Sequence, residues 1–343
     1  MKKLYFLSGL CFMLLLSAPQ AKAQFDIGNI LEAGIQDAST YLQNYVEPAF
    51  RGFGSGLNTG WYNTAQPHKF LGFDITVNVS AAIVPTNMES FTFRNSDYNN
   101  VFFKDAAQVD APTLMGQNLG ADDLPELSFR DFNDADNDGN TNEELLRVSA
   151  LTGLGLEEDF PINAVPVPMA QVGVGLFKGT ELKVRYLPEI DIDGEGSVEL
   201  FGLGVMHDIK QWLPGGGLIP LELSAFVGYT NMKSSIFIDT EAGQSINFDA
   251  SAWTAQIIAS KKLLFFTVFG GVGYSNSNVD FSMLGTFETE TETLVDPIDF
   301  SFSDNGFRAN AGLRIKLLFL TFTGEYTVQE FNTLTAGVGI SIR

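Results

Sequence analysis

The stretch FRANAGLRIKLLFLTFTGEYTV, Phe307 to Val328, alternates two chemistries residue by residue. Phe307, Ala309, Ala311, Leu313 and Ile315 fall on one parity, and Arg308, Asn310, Arg314 and Lys316 on the other. A period of two marks a β-strand, whose successive side chains point to opposite faces. Past Leu317 the pattern resumes, with Leu318, Leu320, Phe322, Tyr326 and Val328 against Thr321, Thr323, Glu325 and Thr327. Two strands joined near Lys316-Leu317 are predicted, each with one apolar and one polar face. A soluble sandwich and a membrane barrel both show this alternation, and differ in which face meets the surroundings.

The N-terminus favours the membrane. MKKLYFLSGLCFMLLLSAPQAKAQ has two lysines, an apolar run from Leu4 to about Leu16, and the small-x-small site Ala21-Lys22-Ala23. It reads as a signal peptide cut before Gln24, the alternative being an N-terminal anchor, which needs ~20 apolar residues. Cys11, the sole cysteine, lies inside this run behind Leu10, where a lipoprotein site would want a small residue. The exported chain is thus expected to hold no cysteine, which excludes disulfides and thiolate chemistry. A formal charge of −21, made more negative when Lys2, Lys3 and Lys22 leave, argues against nucleic acid as a partner. Past the signal no apolar run reaches the length of a spanning helix, so a membrane crossing has to be made by strands closed into a barrel.

Further alternating segments meet that demand. LGFDITVNVSAAIVP sets Phe73, Ile75, Val77, Val79 and Ala81 against Asp74, Thr76, Asn78 and Ser80. VPMAQVGVGLF, a KGT turn at Lys178–Thr180, and ELKVRYL follow, the last placing Lys183 and Arg185 opposite Leu182, Val184 and Tyr186. GSVELFGLGVMHDI is strand-like, with faces that the pattern does not assign. LELSAFVGYT, SAWTAQIIAS, LLFFTVFGGVGY, the two strands of the opening stretch and TLTAGVGISIR complete a count of ten, within an expected range of 10–12. With both termini in the periplasm, the links near Lys178, Lys210 to Gly217, Lys261-Lys262 and Lys316-Leu317 are periplasmic and short. Those at 86–164, 188–196, 232–247 and 276–303 face outward, mostly longer and acidic. The expected architecture is an all-β transmembrane antiparallel barrel over residues 70–343 in a Gram-negative outer membrane, with membrane lipid as its surroundings. A charge on the lipid face costs about 2–4 kcal/mol at mid-bilayer. Asp74, Lys183, Arg185, Glu222, Arg308, Arg314, Lys316 and Glu325 are therefore assigned to the lumen.

Ahead of the first strand, Ile27, Leu31, Ile35, Ala38, Leu42 and Tyr45 recur every three or four residues, Asp26 offers a cap and Pro48 a stop. An amphipathic helix over 26–47 is predicted, either beneath the barrel, on the periplasmic leaflet, or plugging the lumen from the periplasmic side. GFGSGLNTGWYNTAQPHK reads as a linker, the N-terminal unit spanning 24–69.

This helix, the GLNTGWYNTA segment running into HKFLGFDITV, and the Phe- and Gly-rich barrel resemble an uncharacterised group of outer-membrane proteins from Bacteroidota. More distantly the layout is similar to the long-chain fatty acid transporter barrels, whose N-terminal segment plugs the lumen. The second resemblance is architectural, and carries no ligand-binding residue onto this chain.

The long acidic insertion at 86–164 contains SFTFRNSDYNNVFF, a candidate extra hairpin, and DFNDADNDGNTNEELL. Asp134, Asp136, Asp138 and Gly139 have the spacing of a calcium loop, with a carbonyl near Asn140 as a further ligand. The twelfth position is Leu145 where a bidentate glutamate belongs, so a weak calcium site stands beside a merely solvated acidic loop. Catalytic material is scarce: His68 and His207 are the only histidines, each expected to be a hydrogen-bonding residue, and no nucleophile motif has a strand-to-helix setting. No enzyme is expected. Two functions stay open, a channel or transporter for small or hydrophobic molecules, and a structural or surface-interaction barrel with a filled lumen.

Overall fold

The computed structural model describes residue 31 and residues 34–130, 144–192, 194–239, 243–288 and 293–342. Ten strands close into one barrel: β1 (Phe73–Ile83), β2 (Ala164–Gly175), β3 (Thr180–Asp191), β4 (Gly196–Asp208), β5 (Glu222–Asp239), β6 (Gln244–Leu263), β7 (Phe266–Leu284), β8 (Ile298–Leu317), β9 (Leu320–Val328) and β10 (Thr333–Ile342). Each pairs antiparallel with its chain neighbours, and β10 closes on β1 with Phe73 opposite Ile342 and Ala82 opposite Thr333. Closure leaves no free edge around the ring, the condition for strands to stand in hydrocarbon.

The long strands β4 to β8 carry two chemistries on one pleat. In β8 the odd residues from Leu317 back to Phe307 are apolar and point out, while Arg308, Asn310 and Arg314 point in. Above Phe307 the parity holds but the chemistry inverts. Ile298, Phe300 and Phe302 are buried inside, and Asp299, Ser301 and Ser303 are exposed outside. The outward row changes in the same way at Tyr274/Asn276 in β7, Trp253/Ser251 in β6, Tyr229/Asn231 in β5 and Phe201/Glu199 in β4. Five aromatic residues thus form a belt across β4 to β8 at the change from oil to water, as interfacial aromatics do. From Trp253 to the end of β6 at Leu263 the strand is long enough to cross about 25 Å, at ~3.3 Å per residue and ~40° of tilt. These features define a transmembrane barrel with a water-facing extension.

That extension is one-sided. β9 and β10 are 9 and 10 residues long, against 18 to 20 for β5, β6, β7 and β8. β8 pairs with β9 only from Ala309 to Leu317, so its upper half stands as the margin of a four-stranded wing. The predicted loops 232–247 and 276–303 are therefore mostly strand, because their inward apolar residues have a partner above the membrane. The partner is helix α1 (Ile35–Leu57), whose Phe50 packs on Phe248, Phe281 and Phe302. The insertion forms a cap over the same end. Residues 90–94 pair with 108–112, and 101–103 join 126–130 and 144–149 in a three-stranded sheet. The two halves of SFTFRNSDYNNVFF thus belong to different sheets instead of forming one hairpin.

Helix α1 differs from expectation in extent and place. It runs through Pro48 to Leu57, and its buried stripe, Ala38, Tyr41, Leu42, Tyr45, Ala49, Phe53 and Leu57, continues past the proline. Burial on two faces outweighs the ~3 kcal/mol that an interior proline costs. The glycines read as linker are the contact surface. A Cβ on Gly52 or Gly54 would come within 2.8 Å of Val165 or Ser277, and one on Gly56 within 2.5 Å of Val167. The helix lies at the cap end, and residues 58–72 descend through the barrel to β1. Of the predicted helix, Asp26, Ile27 and the other residues of 26–30, 32 and 33 lie outside the described residues. The turns at the other end pivot on Leu264-Phe265 and Leu318-Phe319, three and two residues beyond the lysine-containing links predicted at Lys261-Lys262 and Lys316-Leu317.

Candidate functional site

The polar face of the barrel is occupied by the chain's own descending segment, NTGWYNTAQPHK, Asn58 to Lys69. An extended segment leaves its backbone donors and acceptors unpaired, and burial makes each of them costly. The inward side chains of the wall supply the partners. Arg185 donates from Nη1 to the Leu57 carbonyl at 2.7 Å and from Nη2 to the Thr59 carbonyl at 2.6 Å. Arg308 donates to the Asn58 carbonyl at 2.7 Å, Asn78 to Gly60 at 2.8 Å, Gln171 to Trp61 at 3.1 Å and Ser224 to Ala65 at 2.6 Å. Thr59 Oγ1 lies 2.7 Å from Ser80 Oγ, which lies 2.9 Å from Thr335.

Two aromatic side chains fill what remains. Trp61 is 2% exposed, and the Arg185 guanidinium sits 3.5 Å from the centre of its ring. The indole rests where a Cβ on Gly204 or Gly228 would fall within 2.9 or 2.8 Å of it, and these two glycines pair across β4 and β5. This explains the unreadable faces of β4: Phe201, Leu203 and Val205 point out, the inward place of Gly204 is kept empty for Trp61, and that of Gly202 lies against Thr230 and Arg185 of the wall. Tyr62 packs against Phe226 and Phe269, its hydroxyl 2.7 Å from Gln256 Oε1 and 2.9 Å from Asn310 Oδ1. Trp61 and Tyr62 escaped the sequence reading, although a large aromatic pair inside a Gly, Asn and Thr segment was the available signal.

Of the residues assigned to the lumen, Asp74, Lys183, Arg185, Arg308, Arg314 and Glu325 are buried, and Glu222 and Lys316 are half-buried near the short turns. Glu325 accepts from Thr327 at 3.0 Å. Lys183 lies 2.5 Å from Glu181 and 3.6 Å from Asp74. His68 meets the same carboxylates, its Nδ1 2.8 Å from Glu181 and 3.7 Å from Asp74. One ligand atom from each of His68, Asp74 and Glu181 falls within 4.8 Å of the others, a metal-like grouping. The Lys183 ammonium already stands between the two carboxylates, however, so the cation there is the protein's own. His68 Nε2 is 3.1 Å from Ser341 Oγ, which completes a serine-histidine-glutamate chain. Ser341 is 2% exposed and its hydroxyl also takes the Lys316 ammonium at 3.2 Å, so the chain works as a tie between the segment, β3 and β10. His207 bonds Thr180 and Trp212. Asp134, Asp136, Asp138 and Asn140 lie outside the described residues.

At the cap end α1 is latched to the wing. Arg51 holds Asp304 with Nε at 3.0 Å and Nη2 at 2.6 Å, takes Glu47 at 2.8 Å, and reaches Glu330 at 3.4 Å. The hydrogen bonds of Asp304 hold this guanidinium even more firmly protonated than usual. Asp37, in the first turn of α1, accepts backbone N–H bonds from Asn99, Asn100 and Val101 and so ties the cap to the helix.

Fold and lumen together define a transmembrane β-barrel stoppered by its own N-terminal segment. The chain belongs to a family described as one of unknown function, DUF6588, which matches residues 1–342. No curated protein matches it significantly. Among solved structures it is similar to Ail, the attachment invasion locus protein of Yersinia pestis, at 8% identity and a TM-score of 0.27, covering 80% of this chain and 98% of that one. It is also similar to the translocator domain of the autotransporter NalP from Neisseria meningitidis, at 7% identity and a TM-score of 0.29, covering 90% and 98%. A mutant of the monoaromatic hydrocarbon channel TodX matches at 10% identity and a TM-score of 0.25, covering 86% and 69%. Overlaps this low carry nothing about activity.

Proposed function

We propose that this protein is an outer-membrane barrel closed through its lumen, which holds a folded cap at the cell surface and conducts nothing in its resting state. The single observation behind the reading is that wall arginines bond the plug's backbone, Arg185 at Leu57 and Thr59 and Arg308 at Asn58. A water-filled pore would leave those guanidinium groups lining a free path. The capacity of the interior points the same way, since barrels of about eight strands can be filled by side chains and sixteen leave a channel. Ten strands need one extra segment, and residues 58–69 supply it. With the short turns in the periplasm, the cap and the acidic upper wing face outward. The expected partners are membrane lipids along the apolar belt and surface components at the cap. Transport of fatty acids would require the plug to leave.

Conductance of the refolded protein in a planar bilayer tests the reading. The expected trace is flat, without discrete open levels. Steady single-channel steps from protein whose plug is intact would rule the closed barrel out and restore the channel.

A further inference from the structure

The short-turn end holds an open cavity of about 810 Å³ between β5, β6, β7, β8 and the descending segment. Its charged lining runs against the rest of the molecule, whose formal charge is −21. Lys262, Arg314 and Lys316 have the parity of the lumen residues, Lys316 donating to the Ser341 carbonyl at 2.8 Å, and Glu222, the one carboxylate in the lining, takes Lys210 at 3.5 Å. Lys262 pairs with Thr267 across β6 and β7, and Thr267 with Arg314 across β7 and β8. Two cations thus flank one hydroxyl at a single level, about 10 Å apart at ~4.8 Å per strand. A cleft lined by one sign of charge concentrates the field and draws counter-ions.

The lip of the cavity is apolar in an unusual way. Leu264 and Leu318, which line it, are 86% and 88% exposed, with Phe265 beside them. Both leucines stand at positive φ, 58° and 57°, on two-residue turns. Glycine or asparagine is favoured at such positions, and a side chain there costs roughly 1–2 kcal/mol. An oily residue in a strained, exposed position is accounted for if acyl chains lie against it. Lys261, also at the cavity's edge, has the outward parity of Leu263 at the same level.

We propose that this vestibule binds a phosphate group, brought from the adjoining leaflet by a phospholipid headgroup or from solution as free phosphate, with Lys262, Thr267 and Arg314 around its oxygens and Lys316 adding positive charge beside them. The apolar lip favours the lipid. Phosphates suit this lining because a guanidinium and an ammonium offer several charge-assisted donors to tetrahedral oxygens.

The test is titration of the detergent-solubilised full-length protein with phosphatidylglycerol and, separately, inorganic phosphate, with bound ligand read by native mass spectrometry. The variants are the double substitution Lys262→Gln/Lys316→Gln and, as a control for surface charge, Lys178→Gln at an exposed turn outside the cavity. Folding is checked by heat-dependent gel mobility, and the buried Arg314 is left in place. The double variant is expected to bind phosphatidylglycerol about thirtyfold more weakly, from roughly 1 kcal/mol per lysine, while Lys178→Gln matches the unmodified protein. The same loss for inorganic phosphate, without a preference for the lipid, would assign the site to the free anion. Equal binding of both ligands by the unmodified protein and the folded double variant would overturn the proposal, as would an equal loss in Lys178→Gln.

Discussion

Replacing Arg185 by methionine keeps an unbranched side chain of similar reach and removes the charge that holds the plug. The native guanidinium makes two short bonds to backbone carbonyls and lies over Trp61. Charged hydrogen bonds contribute about 1.5–3 kcal/mol each, and a desolvated cation–π contact about 2. Against this stands the burial of the charge itself, several kcal/mol that the variant no longer bears. The net loss of plug docking is on the order of 3 kcal/mol, which at 1.4 kcal/mol per decade raises the displaced fraction about a hundredfold. Bilayer recordings of Arg185→Met should then show intermittent openings that the native protein lacks. Proteinase K should also cut within 58–69 at a faster rate. Arg185→Lys, with one ammonium in place of a fork, should fall between. A folded Arg185→Met protein as silent and as protected as the native one would refute the reasoning that this arginine closes the lumen.

Two further outcomes follow from the wall and the helix. Gly56→Ala gains about 1 kcal/mol of helix propensity but drives a Cβ into Val167, an overpacking of about 1–3 kcal/mol, so urea unfolding should show net destabilisation that Val167→Ala relieves. Failure of the second substitution to restore stability would place the helix elsewhere. Ile257→Arg, in the lipid-facing band, should cost about 2–4 kcal/mol, whereas Asn231→Arg, outward but above the aromatic belt, should stay within about 0.5 kcal/mol. Equal costs in refolding titrations would contradict the membrane boundary drawn at Tyr229 and Trp253.

The ring of strands was legible because alternation needs no partner to be read. Phe307 to Val328 shows both faces of β8 and β9 in its residues alone. What stayed hidden depended on contacts with the plug. The inward places at 202 and 204 of β4 are glycines because Thr230 and Arg185 crowd the first and Trp61 the second, so alternation of polarity had nothing to show. Gly52, Gly54 and Gly56 looked like linker because the need for small residues arises from Val165, Ser277 and Val167 across the interface. The inversion above Phe307 was present in IDFSFS, yet it reads as loop unless a helix carrying Phe50 is known to cover it. For the candidate site, the arginines on the polar parity were visible in sequence, while their partners, backbone carbonyls of residues 57–59, carry no sequence signature.

The central claim is that residues 58–69 lie inside the barrel. Thr59 and Ser80 have their side-chain oxygens 2.7 Å apart, on the plug and on β1, and the sole cysteine is Cys11 in the expected signal peptide. Cysteines introduced by Thr59→Cys and Ser80→Cys should therefore form a disulfide on mild oxidation of the folded protein, seen as a loss of two free thiols, whereas a pair made with the outward-facing Val79 should not. Two freely labelled thiols in the folded Thr59→Cys/Ser80→Cys protein would contradict the stoppered lumen.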